Sequence, residues 1–255
     1  MRIVVKVGTR VLIGTKGLDP KKVSRLMGEI AKVMKKGYEV ILVSSGAIGT
    51  GLPYVHFSNP ARKKIAASVG QPLLMHRYIE EAKKHKISVG QILILSEDFA
   101  NKEHFKNFIR NINAMLLNKV LPIINENDFM KTGDLTIGDN DMFGAVVAHG
   151  IRANKYIMLT NQDGLFTCNP DHDKGAKLIK EVIKINEKVE KLCSDGIADI
   201  SRGGMTSKIQ AAKYATKKGI ETFIGRGDEN GMLLKALSKN FPGTRFSSNK
   251  KNNKK

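Results

Sequence analysis

Short runs rich in Val, Ile and Leu alternate along the chain with longer amphipathic stretches, and this alternation is what most restricts the fold. Strands are expected at residues 2–7, 39–44, 88–95, 119–125, 155–160 and 221–224. Between them the helical period predicts helices at residues 20–36, 60–85, 102–118, 140–151, 186–193 and 204–218. Asp19 before Pro20 marks a helix start, a capping carboxylate followed by a residue that needs no amide partner. Strand and helix in succession build a parallel sheet, because each helix carries the chain back to the same end of the sheet. The expected class is therefore α/β, an αβα sandwich with a largely parallel central sheet.

No linker or composition shift divides the 255 residues, so residues 1–247 read as one domain, with two lobes as the alternative, and residues 248–255 as a basic, disordered tail. No run approaches the roughly 18 apolar residues of a membrane span. A strand beginning at Arg2 also leaves no signal-peptide layout, and a soluble, cytoplasmic protein is expected. Cys168 and Cys193 give neither a disulfide framework nor zinc spacing, and the histidines form no short metal motif. The balance of 43 Lys and Arg against 24 Asp and Glu, net +19, raises nucleic acid as a partner. The lysines are spread over helix-like stretches, however, and aromatics make up only 6% with no Trp, which argues against a base-stacking surface.

Against that basic background, acids and amides concentrate in one region. Asn125, Glu126, Asn127 and Asp128 follow an apolar strand, and Gly138, Asp139, Asn140 and Asp141 come soon after. Such a cluster at a strand's carboxyl end suits a small polar substrate, with solvated turns as the structural alternative. Gly-rich turns at residues 6–9, 44–51 and 202–208 fall where strands should give way to helices, whose N-termini offer amides to phosphate. No GxxxxGK[ST], HRD or DFG sequence is present, which disfavours P-loop and protein-kinase architectures.

Taken in order, five motifs resemble the amino acid kinase family: Lys6 to Thr9; Ser44 to Ile48; Asn125 to Asp128; Gly138 to Asp141; and Gly203 to Lys208. The likeness runs from residue 2 to about residue 246, and the INEND and GDND pair is similar to the glutamate branch of the family. It implies the acetylglutamate kinase-like fold and transfer of the ATP γ-phosphoryl group to the side-chain carboxylate of glutamate, the first step toward proline. By the same resemblance Lys6 and Lys208 contact the transferring group and Asp141 holds both lysines. Ser45, Asp128 and Asn140, with Asp139 beside them, hold glutamate; helix capping is the structural alternative for Ser45, Asp139 and Asn140.

The nucleotide is assigned, again by resemblance, to Lys6, Gly8, Thr160, Asn161, Arg202, Gly203, Gly204, Met205, Thr206, Ser207 and Lys208. Asn161 stands where relatives commonly have Asp, and Arg202 where Thr is frequent, which bears on nucleotide affinity. Mg²⁺ is expected to be carried mainly by the ATP phosphates. The family further implies proline as a feedback inhibitor, acting with the loop at residues 129–137, glutamyl phosphate reductase as a partner, and a homo-oligomer, dimer or tetramer. Many bacterial relatives continue into a PUA domain, and this chain reads as a short form without one. Acetylglutamate, aspartate, carbamate or a nucleoside monophosphate are the alternative acceptors within the family.

Overall fold

In a computed structural model of the chain, residues 1–56, 58, 60–131, 139–192, 204–238 and 240–248 are described. From the N-terminus, β1 (Arg2–Val7) leads into the short helix α1 (Thr9–Leu12) and a hairpin of β2 (Ile13–Gly14) and β3 (Gly17–Leu18). There follow α2 (Pro20–Lys35), β4 (Glu39–Val43), α3 (Ala47–Gly51), α4 (Arg62–Lys84), β5 (Ser88–Ile94), α5 (Lys102–Leu117) and β6 (Val120–Glu126). The remainder is α6 (Asp139–Gly150), β7 (Lys155–Thr160), β8 (Glu181–Val182), α7 (Glu187–Lys191), α8 (Met205–Lys217), β9 (Glu221–Arg226), α9 (Met232–Ala236) and β10 (Thr244–Phe246). The chain is α/β with a largely parallel central sheet, as the alternation predicts.

Two compact units are present, one of Met1–Lys6 with Thr136–Lys255 and the other of Val7–Leu135. In the second unit β6 pairs in parallel with both β4 and β5. Its core is aliphatic: Val40, Ile41, Leu42 and Val43 are buried, as are Leu121, Ile123 and Ile124, under Met27, Ile30, Leu74 and Tyr78 from the helices. Strands covered on both faces read as continuous apolar runs, which is why these are recognisable in the sequence. α2 begins as expected, with Asp19 accepting the amides of Lys21 and Lys22 at 2.9 and 3.4 Å ahead of Pro20. A cap of this kind contributes about 1 kcal/mol.

After β4 the backbone turns through Gly46, whose φ of +105° a side chain would strain, and enters α3. α3 then lies directly against α4. A Cβ on Gly51 would stand 1.9 Å from the carbonyl oxygen of Ala66, and one on Gly70 1.9 Å from that of Ala47. Contact between the two backbones fixes the Ser44–Gly46 turn that precedes α3.

In the first unit β7 lies next to β1 and pairs in parallel with β9, whereas β10 runs antiparallel to β9 and pairs with β8. Tyr156, Leu159, Phe223, Ile224 and Phe246 form its interior. The expected helix at 186–193 is the shorter α7, capped by the Asn186 side chain, which accepts the Val189 amide at 3.2 Å. Of the expected tail at 248–255, only Ser248 is among the described residues. Of the loop at 129–137, only residues 129–131 are described.

Candidate active site

Lys6 sits near the end of β1, a strand buried from Ile3 onward, and is itself only 5% exposed. A lysine held that deeply needs an anion beside it, because an isolated buried ammonium would lose its charge or destabilise the fold. The anion is Asp141 on the first turn of α6, which is wholly buried. Lys6 Nζ stands 2.7 Å from Asp141 Oδ1. On the other carboxylate oxygen, Oδ2, Lys208 Nζ from the start of α8 makes a contact of 3.1 Å. All three residues belong to the first unit.

Two ammonium groups thus share one carboxylate in a buried place. Burial pushes the Asp141 carboxyl up, but the charges of Lys6 and Lys208, with hydrogen bonds from Lys6 and Ser207, outweigh it and hold the group below the usual carboxylate range. Asp141 is thus a fixed anion around which the lysines are set. Its main chain is anchored as well, since the buried Tyr156 hydroxyl donates to the Asp141 carbonyl at 2.7 Å. Burial, and then the Asp141 charge, push the Tyr156 phenol well up, so it stays a neutral donor.

The Ser207 hydroxyl lies 2.8 Å from Asp141 Oδ2 and 3.0 Å from the Gly204 carbonyl. Gly204 is the N-cap of α8 and caps without a side-chain hydrogen bond. The N-terminal turn of a helix of this length carries a partial positive charge, which adds to that of Lys208. Thr160 closes β7, nearly buried, with its hydroxyl 3.3 Å from Asn161 Oδ1 and its carbonyl accepting the Gly227 amide at 2.7 Å. Beyond Asn161, Asp163 pairs with Arg226 Nε from the end of β9 at 2.5 Å. Arg202 and Gly203 lie outside the described residues.

The residues assigned to glutamate are distributed over both units. Asn140 is half-buried on the first turn of α6, and Asp139 begins that helix. In the second unit Ser44 shares a hydrogen bond of 2.9 Å with Tyr78, and Ser45 follows, half-buried. The N-cap of α3 is Gly46, so a capping role for Ser45 is not what the structure shows. Gly8, also in this unit, precedes α1 as its N-cap.

At the end of β6, Asn125 donates to Gln71 at 2.8 Å and accepts the Glu126 amide at 2.9 Å. Asp128, three residues beyond Asn125, is half-buried. Burial, with the nearby charge of Glu126, pushes its carboxyl up from 3.8 to about 6, although Lys131 pulls the other way. Sequence reasoning missed Tyr156, Lys131 and Gln71, because each acts through a partner that only the tertiary fold supplies. Among the described residues no group of three or more His, Cys, Asp or Glu side chains could hold a metal ion. No described helix is long and apolar enough to cross a membrane.

Comparison with known proteins adds a family to this geometry. A match to the Amino acid kinase family covers residues 1–226. Glutamate 5-kinase of Trichlorobacter lovleyi is 38% identical over 250 residues, 96% of this chain and 66% of the relative. Glutamate 5-kinase 2 of Pseudoalteromonas translucida is 39% identical over 248 residues, covering 96% and 68%. The chain thus spans about two thirds of the length of these curated relatives. A carbamate kinase from Giardia lamblia bound to AMP-PNP superposes with a TM-score of 0.69 at 16% identity, over 97% of this chain and 98% of the other. UMP kinase from Bacillus anthracis gives 0.66 at 15%, over 97% and 96%, and at such identities the likeness is one of fold. With its α/β fold, its pair of buried lysines on one aspartate and its extensive sequence identity, the chain belongs to the amino acid kinase family, in which it stands with the glutamate 5-kinases.

Proposed function

We propose that the protein transfers the γ-phosphoryl group of ATP to the γ-carboxylate of L-glutamate, giving L-glutamyl 5-phosphate in the first step of proline biosynthesis. The observation that carries this reading is the convergence of Lys6 and Lys208 on opposite oxygens of Asp141. A carboxylate oxygen attacks phosphorus, the bond to the β,γ-bridging oxygen breaks, and ADP leaves. A glutamate side chain of ordinary pKa, about 4.3, is already ionised at neutral pH, so no proton has to be removed. Catalysis then consists of alignment and of neutralising charge on the transferring group. Lys6 and Lys208 supply that charge, and Asp141 keeps both ammonium groups in place.

Asp128 is suited to the substrate ammonium, and Ser45, Asn140 and nearby amide NH groups to its carboxylates, with Asp139 also assigned to the amino-acid substrate. Gly8, Thr160, Asn161 and the turn from Arg202 through Gly203, Gly204, Met205, Thr206 and Ser207 to Lys208 take the nucleotide. Both Asp141 oxygens are engaged by ammonium groups, a set of donors and charges that fits an anion with Mg²⁺ travelling on it. When bound, Mg²⁺ screens the triphosphate oxygens. The reading extends to a cytoplasmic homo-oligomer that is inhibited by proline and hands its product to glutamyl phosphate reductase.

ADP release with each candidate acceptor, with hydroxylamine present to trap acyl phosphate, tests the assignment. Glutamate-dependent hydroxamate is expected. Turnover with acetylglutamate, aspartate, carbamate or UMP and none with glutamate overturns it.

A further inference from the structure

Hydrogen bonds within the segment after β6, and from β5 and α4, hold it in place. The Asn127 amide donates to the Ile94 carbonyl at 2.9 Å, and the amides of Met130 and Lys131 both donate to the Asn127 carbonyl at 3.1 Å. Lys64 on α4 donates to the Lys131 carbonyl at 2.8 Å. The Lys131 side chain turns back into the protein and is 9% exposed, with Nζ 2.9 Å from Oε2 of Glu126, itself 5% exposed. Asp128 lies between these two residues in the chain, half-buried, and all of them belong to the second unit.

We propose that Lys131 is a positioning residue for the amino-acid substrate, its ammonium cancelling the Glu126 charge so that Asp128 remains an anion for the substrate ammonium. This rests on the glutamate-binding role given to Asp128 above. A buried carboxylate close to another raises the cost of ionising both, and a lysine beside one of them removes most of that cost. Among the described residues, the charged groups bearing on Asp128 are Glu126, which opposes its ionisation, and Lys131, which favours it. Lys64 touches the same segment from α4 through the Lys131 carbonyl. With its carboxyl at about 6, Asp128 is charged at neutral pH with little to spare. Removing Lys131 takes that margin away.

The test is a ¹³C-detected carboxyl titration of Asp128 in the full chain, together with the pH profile of KM for glutamate. Lys131→Met is expected to move the Asp128 midpoint up by about one pH unit, the scale of one nearby charge. KM for glutamate at pH 7 should about double, as the ionised fraction of Asp128 falls to about half, while kcat and KM for ATP stay as they are. Glu126→Gln combined with Lys131→Met should bring both midpoint and KM back, because the uncompensated carboxylate is gone. That pair also serves if Lys131→Met alone does not fold. An unmoved Asp128 midpoint in Lys131→Met, or a double variant whose midpoint stays raised, overturns the inference. If the midpoints move as expected but glutamate is no substrate at any pH, the electrostatic device stands and the substrate assignment is what falls.

Discussion

Lys208 reaches Asp141 across 67 residues of chain, its Nζ 3.1 Å from Oδ2 in the buried interior of the first unit. A contact of that sequence separation, made by two ionised groups, exists only because β1, α6 and α8 deliver their ends to one place. The remaining oxygen of the same carboxylate is engaged by Lys6 at 2.7 Å. In the proposed reaction these two ammonium groups neutralise charge on the phosphoryl group in transit.

Replacing either lysine by Ala removes charge that is needed most in the transition state. For Lys6→Ala and for Lys208→Ala we expect kcat to fall at least about a hundredfold, the loss typical of one electrostatic donor, with KM for glutamate little changed. Steady-state kinetics of the purified variants checks this. Turnover equal to that of the unaltered protein removes the lysines from the chemistry.

Asp141→Asn leaves two buried ammonium groups facing a neutral amide. Breaking a buried pair from one side costs about 3 kcal/mol or more, and the melting temperature should drop accordingly. Because the Asp141 carboxyl is held below its ordinary value, its stabilising contribution is fully present above the normal carboxylate range and is lost as pH falls below it. Denaturant unfolding of both proteins from pH 7 downward should show a gap that is constant near neutrality and closes in acid. A gap that widens in acid contradicts the assignment.

Asp128 carries the opposite perturbation. Its carboxyl is raised to about 6, so KM for glutamate should climb as pH falls from 7 through 6, about two units above where an ordinary aspartate would act. Asp128→Asn should raise KM near neutrality, converge with the unaltered protein in acid, and so flatten the profile. A flat profile between pH 5 and 7 in the unaltered protein denies Asp128 the ammonium.

The contact of α3 with α4 leaves no room for a methyl group. Gly70→Ala would place Cβ 1.9 Å from the Ala47 carbonyl oxygen, a backbone atom that cannot swing aside. We expect a loss of about 2 kcal/mol or more, read as a lower denaturation midpoint at unchanged slope. An unshifted midpoint means the two helices do not meet backbone to backbone.

Much of the fold is legible in the sequence because strands such as β4 and β7 are nearly continuous apolar runs and the main helices are long enough to display their period. The strand expected at residues 155–160 is β7 with the same bounds, and α2 starts at Pro20 as the Asp19 cap predicts. What escaped is short: β8 and β10 are two and three residues, and α3 hides inside a glycine-rich turn. Such elements are created by their neighbours, and no periodic signal precedes them. The site divides in the same way. Lys6, Asp141 and Lys208 each stand in a recognisable motif at the end of an element, and the structure brings them together. Tyr156 looks like any strand aromatic until its hydroxyl is seen on the Asp141 carbonyl, and Lys131 like any loop lysine until its ammonium is seen on Glu126.

The most direct measurement is single-turnover formation of glutamyl hydroxamate at saturating ATP and glutamate, in the unaltered protein and in Lys208→Ala, alongside ATP binding by each. Glutamate-dependent product is expected in the first and at least about a hundredfold slower product in the second, a loss at saturating ATP that exceeds any loss of ATP affinity. Equal rates of product formation in the two proteins would contradict this expectation.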